Sequence, residues 1–249
     1  MPNPLLLFIL QPMSIPFFYK KDIAQTDTVV VLDEDTSKHV VQVLRMQNEE
    51  LIRLTDGVGT IFTCEITDNH RKKCVVNVIE KTSIPLPVTN VCIAISPVKN
   101  NSRYEWFLEK ATEIGVRKII PLICERTEKQ HFKWERMNAI LISAMLQSQQ
   151  AWLPVLQEPQ KFATCVSNNT ISQKLIAHCI TEENKKTIAQ LVLQPNEAIM
   201  MLIGPEGDFS SAEIELALAN QFIPVSLGET RLRTETAGIV AATLLVNRT

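Results

Sequence analysis

The chain has 249 residues, a hydrophobic fraction of 45% and a formal net charge of −2, from 25 Lys+Arg against 27 Asp+Glu. This is the composition of a globular protein of one large or two ordinary domains, and it excludes a polybasic chain held to nucleic acid by net charge alone. Six cysteines without a CxxC pair and four scattered histidines make no recognisable metal site, and the cysteines read as small buried thiols of a reducing cytosol.

The first twelve residues, MPNPLLLFILQP, contain an apolar run at 5–10 that is too short to span a bilayer and has no basic residue before it. Residues 1–12 therefore read as an extension, with Met13 as the expected start. From 17 to 81 the pattern is mostly strand. Short apolar runs at 28–32 and 51–55 are followed by alternating segments at 60–66 and 73–79, with turns at Asp56-Gly57 and Asp68-Asn69. One helix interrupts them, SKHVVQVLRM at 37–46. Its apolar face is Val40, Val41, Val43 and Leu44, with His39, Gln42 and Arg45 towards solvent. Several short strands and one helix suit a small β-barrel.

The prolines of IPLP at 84–87 resist both helix and central strand, so 84–90 reads as a linker between 13–83 and 91–249. Residues 91–170 carry 10 Lys+Arg against 7 Asp+Glu, the only basic third of the chain, so a nucleic-acid footprint would be a local patch. Here strands and helices begin to alternate. A strand at 91–96 precedes a helix opened by a Ser102–Glu105 capping box and ended by Gly115. A strand at 118–123 precedes a helix at 134–149 with Met137, Ile140, Leu141, Ala144 and Met145 on one face. A strand at 174–180 and a helix at 185–193 complete a pattern that builds a parallel sheet.

Residues 200–247 hold four of the seven glycines. A buried strand at 200–203 stops at GPEG, and Ser210 with Glu213 forms a capping box for the next helix. A strand at 222–227 ends at Gly228, followed by ETRLRTE at 229–235. The last helix, 235–246, is apolar almost all round, which predicts burial on every side. Loops at the ends of neighbouring parallel strands are where open α/β sheets bind ligands, and glycine there lets backbone approach closely.

Two motifs carry a resemblance: GPEGDFS at 204–210 and LGETRLRTETA at 227–237. They are similar to the patterns GPEGG-[FL]-[ST] and LG-x-x-[IV]-L-R-x-E-T-A of the bacterial 16S ribosomal RNA uracil-N3 methyltransferases of the SPOUT superfamily. EKATEIGV at 109–116 and IPLICER at 120–126 resemble further family signatures, and HVVQVLR at 39–45 resembles that of its PUA-like N-terminal domain. The chain departs from the pattern where NEE at 48–50 replaces a Gly-Asp, and where LQSQQ at 146–150 lacks a Glu and an Arg.

The resemblance implies an α/β protein with a small PUA-like β-barrel followed by a SPOUT-type domain whose C-terminal part is a trefoil knot. It implies S-adenosyl-L-methionine as cofactor, held by Ala177, Leu202, Gly204, Gly207, Leu227, Gly228 and Leu232. It also implies contact with 16S ribosomal RNA through Arg45, Arg126 and Arg231, a cytoplasmic homodimer paired through the apolar last helix, and no metal or membrane. Solvated surface is the plainer reading of Arg45 and Arg53.

Uridine N3 is a weak nucleophile until its proton leaves, so the site should stabilise the anion or take the proton. Arg233 and Glu206 are the expected catalytic residues, with Arg231 and Glu235 as alternatives. Glu235 would otherwise cap the last helix. Two other readings are a methyltransferase acting on a ribose 2′-hydroxyl or a tRNA base, and a non-catalytic RNA-binding assembly protein. The intact glycine loops speak against the latter.

Overall fold

The computed structural model describes residues 15–128, 132–180, 185–194 and 197–248. The 1–12 extension lies outside them. Two compact units, Met1–Ile84 and Pro85–Thr249, make up the chain.

The first unit is one sheet of five strands: β1 (Phe17–Tyr19), β2 (Val29–Val31), β3 (Leu51–Thr55), β4 (Thr60–Asp68) and β5 (Val75–Ser83), in the order β1-β3-β4-β5-β2. Alternation in β4 turns Phe62, Cys64 and Ile66 inward, where they meet Ile52 and Leu54 of β3. The turn between these strands is locked by Asp56, whose Oδ1 accepts from Val58 N (2.8 Å) and Thr60 N (3.0 Å). The single predicted helix differs in shape. Asp33 caps a short α1 (Glu34–Lys38), which runs into a π-helical turn over His39–Val43. The wider turn rotates the later residues away from the sheet, so Val40 and Met46 are buried while Val43 (67% exposed) and Leu44 are not.

The second unit is a sheet of β6 (Val91–Ile95), β7 (Lys118–Ile123), β8 (Val155–Leu156), β9 (Gln160–Lys161), β10 (Gln173–Ala177), β11 (Lys186–Thr187), β12 (Ile199–Ile203) and β13 (Ile223–Ser226). Its order is β11-β13-β10-β12-β6-β7-β8, with β9 also on β7, and every pairing is parallel. All five residues of β6 and of β12 are buried, because both faces are covered.

On one face Ile93, Ile95, Met201 and Ile203 pack with α2 (Asn101–Ile114), α3 (Trp134–Gln147) and α6 (Thr234–Val246). On the other, Cys92, Ala94, Met200 and Leu202 pack with α4 (Phe162–Ser167) and α5 (Ser211–Ala219).

Three local expectations change. Asn100, not Ser102, caps α2 by accepting from Ser102 N, and Glu105 instead makes a two-pronged ion pair with Arg136 of α3 (2.7 and 3.0 Å). The predicted helix at 185–193 is strand β11 followed by a single 3₁₀ turn, Ile188–Gln190. Pairing with β13 and a reciprocal Thr187–Gln190 cap end it there. Helix α6 is buried on one side only, through Gly238, Ala241, Ala242 and Leu245, and leaves Thr243 and Leu244 exposed.

The replaced segment at 146–150 has a clear use here. Gln150 Nε2 donates to the Thr112 and Glu113 carbonyls (2.9 and 3.1 Å), tying the end of α2 to the loop after α3.

Gly238 is where α6 comes closest to the sheet. A Cβ there would stand 2.7 Å from the Phe107 ring and 2.8 Å from Ile95 Cδ1. Gly238→Ala should therefore overpack this contact and lose about 1–3 kcal/mol of unfolding free energy, measured by urea denaturation, although alanine is the better helix former.

Candidate functional site

Parallel pairing brings the C-terminal ends of three strands together, with Ala177 opposite both Ile203 and Val225. The segments that leave them, 178–180 after β10, 204–208 after β12 and 227–233 after β13, form two adjoining open clefts of about 380 and 610 Å³. Ala177, Cys179, Arg231, Leu232 and Ala237 line both. Gly204, Glu206, Arg233 and Glu235 line the smaller, and Leu227 and Gly228 the larger. Most of the expected residues thus share one place.

Two do not. Leu202 points to the opposite face of the sheet and belongs to the core with Phe209 and Ile214, so Ile203 takes its place in the cleft wall. Gly207 lies outside both clefts, and a Cβ on it would meet Arg126 Cδ at 3.3 Å. Arg126 itself braces the loop, its Nη1 donating to the Gly207 carbonyl (2.8 Å) and, longer, to that of Phe209 (3.4 Å). Arg45 is an exposed residue of the first unit, with left-handed backbone (φ 57°).

The loop after β12 is fixed from several sides. The capping box was predicted, but Glu213 does more than cap: Oε2 accepts from Ser210 N (2.9 Å) and Oε1 from Glu125 N (2.8 Å). Thr127 Oγ1 accepts from Cys124 N (2.8 Å) and lies 2.8 Å from Ser96 Oγ, bonding the loops after β7 and β6. Glu206 Oε1 accepts from Lys99 N (3.1 Å), and Asp208 Oδ2 from Cys179 N (2.7 Å). Gly204 needs no left-handed backbone here; a Cβ on it would point at the Phe209 ring, 3.2 Å away.

Charges divide into paired and unpaired. Glu235 is 7% exposed, with Arg103 Nε of α2 3.7 Å from its Oε1. Arg231 and Arg233 are exposed, and among the described residues neither guanidinium has a hydrogen bond or ion pair. Burial, then the Asp208 carboxylate, pushes the Cys179 thiol above its ordinary pKa. Arg103, Cys179 and Asp208 were not anticipated as cleft residues. Arg103 has no motif and is brought in only by the packing of α2, whereas Asp208 stood in plain view where the pattern has glycine.

Thr234, at the start of α6, donates its hydroxyl to the buried Gly204 carbonyl (3.0 Å) and so joins the two motif loops. Thr234→Val keeps the shape and strands that carbonyl. A loss of about 1–3 kcal/mol in stability is expected, with weaker ligand binding, read by thermal melts with and without ligand.

Residues 85–246 match the RNA methyltransferase domain family, and residues 32–79 the RNA methyltransferase PUA domain family. A ribosomal RNA small subunit methyltransferase E of Synechocystis sp. is 32% identical over 221 residues, covering 86% of this chain and 72% of that protein. The crystal structure of a probable rRNA-methyltransferase from Porphyromonas gingivalis superposes with a TM-score of 0.85 at 40% identity, over 93% of this chain and 98% of that one. The ribosomal RNA small subunit methyltransferase E of Neisseria gonorrhoeae, solved bound to S-adenosyl methionine, gives 0.81 at 27%, over 92% and 95%. A family match across nearly the whole second unit and relatives alike over both units have one meaning: the chain belongs to the RNA methyltransferase family of ribosomal RNA small subunit methyltransferase E.

Proposed function

We propose that the protein transfers a methyl group from S-adenosyl-L-methionine to N3 of a uridine in 16S ribosomal RNA. The observation that carries this reading is the joining of the 204–208 and 227–237 loops around one cleft at the C-terminal edge of β10, β12 and β13. The volumes are those of a small-molecule site, and the walls are chemically divided as this cofactor requires. Ala177, Leu227, Leu232 and Ala237 offer an apolar surface for a base, beside Gly228, whose missing side chain leaves open space. Gly204 and the carboxylate-bearing loop after it would hold the polar part. When bound, the cofactor supplies a methyl group already activated as a sulfonium, so positioning is the main catalytic demand.

The protein's own residues then act on the base. Arg233, unpaired in the cleft, stabilises negative charge on a uracil oxygen as N3 loses its proton. Glu235, enclosed at the cleft with Arg103 beside it, is the better placed proton acceptor; Glu206 is engaged with Lys99 N and shapes the loop. Arg231, beside them and also unpaired, meets RNA phosphate. The target base must be splayed out of its stack to reach such a cleft. The PUA-type unit would supply further grip on the RNA. The same reading includes pairing of two copies through α6, supported by its exposed Leu244 (42%), and a trefoil knot, supported by β10 lying between β12 and β13 with Thr234 bonded to Gly204.

Incubating the protein with labelled S-adenosyl-L-methionine and small ribosomal subunits from an unmethylated strain should yield 3-methyluridine in 16S RNA, identified by nucleoside mass spectrometry. Label in a ribose or in tRNA alone would reject the assignment. Arg233→Ala should lower the single-turnover rate about a hundredfold or more while cofactor affinity and melting temperature stay near wild type. Arg233→Lys should rescue poorly, since an ammonium cannot copy the planar fork. A large fall in melting temperature instead would mark Arg233 as structural.

A further inference from the structure

Asp208 is the one residue other than glycine among the described cleft residues whose backbone is left-handed (φ 64°). Glycine adopts that conformation freely and aspartate only at a cost, so something must hold it there. Its carboxylate is divided between two amides: Oδ1 accepts from its own neighbour Phe209 N (2.8 Å), and Oδ2 from Cys179 N (2.7 Å). The second bond crosses the cleft rim. The ladder of β10 and β12 ends at Ala177 and Ile203, and beyond that pair Asp208 joins the segments that diverge to form the wall. Its own N–H donates to the Pro205 carbonyl (2.9 Å), so the turn that carries the carboxylate is itself closed.

We propose that Asp208 is a positioning residue that clasps the loops after β10 and β12 together and thereby sets how tightly the cofactor is held. A charge-assisted bond to a backbone amide is short and strong, and this one fixes the spacing of two cofactor walls before any ligand arrives. Pre-set spacing lowers the ordering cost of binding. The clasp acts on affinity, since both Asp208 carboxylate oxygens are engaged with backbone amides of the walls. The inference rests on the methyltransferase reading for its ligand, but the clasp itself belongs to the ligand-free protein.

Cys179 supplies a reporter. It is the one exposed thiol, the other five cysteines being buried. The amide of Cys179 is the group clasped, and its thiol is pushed up first by burial and then by the Asp208 charge.

The test uses the full chain in three forms: wild type, Asp208→Gly and Asp208→Asn. Glycine accepts the backbone without strain and removes the clasp, while asparagine keeps one acceptor and tolerates the left-handed backbone. In the ligand-free protein, Asp208→Gly should speed hydrogen exchange at the Cys179 amide and iodoacetamide labelling of its thiol. In calorimetry it should weaken S-adenosyl-L-methionine binding about tenfold or more, the loss expected of one hydrogen bond made by a charged group. Asp208→Asn should recover most of the exchange protection and affinity. Unchanged Cys179 exchange in Asp208→Gly, or wild-type affinity in that variant, would overturn the proposal. Failure of the wild type to bind the cofactor would count against the methyltransferase reading, while the exchange comparison would still decide the clasp.

Discussion

The parallel register of β10, β12 and β13 is the constraint on which the rest depends. It sets Ala177, Ile203 and Val225 side by side, so three loops that are far apart in sequence start from one line. A parallel sheet permits this only when both faces are covered, which is why the second unit carries helices on each side and why β12 is buried along its whole length. Gly238 lets α6 lie close against Phe107 and Ile95, and the start of that helix delivers Thr234 and Glu235 to the cleft. Core packing and site geometry are therefore the same contacts seen from two ends.

Within the cleft, the division of charge is more informative than its sum. Glu235 is enclosed and has Arg103 beside it; Arg126 is bonded to loop carbonyls; Glu206 and Asp208 accept from backbone amides. Among the described cations of the cleft, Arg231 and Arg233 are the two left without a hydrogen bond or ion pair, Arg103 and Lys185 being engaged. A site built to receive a neutral base on an anionic backbone needs that arrangement: fixed groups that shape the walls, and two cations left for what arrives.

Much of this was legible because it is local. The Ser210–Glu213 box spans three residues and was read correctly, as was β7 to the residue, since its apolar run is bounded by charge and turn. The glycine loops were legible through their motifs. The face of β12 was not: a strand buried on both sides reads as a continuous apolar run, and no alternation distinguishes Leu202, in the core, from Ile203, at the cleft. The π-helical turn at His39–Val43 was missed because its residues still spell an amphipathic α-helix. Arg103 and the second role of Glu213 were beyond reach, since each depends on a partner far away in sequence.

That second role bears on the order of assembly. Glu213 and the Glu125 amide are 88 residues apart, and Arg126 reaches across 81 to the Gly207 carbonyl. Neither bond can form until β7 and β12 have both taken their places on β6, so the loop between β12 and α5 must set late, after the sheet has closed its long-range pairings. The cofactor walls would then be completed only over strands already in place, their bracing bonds added last to a sheet whose pairings they do not share.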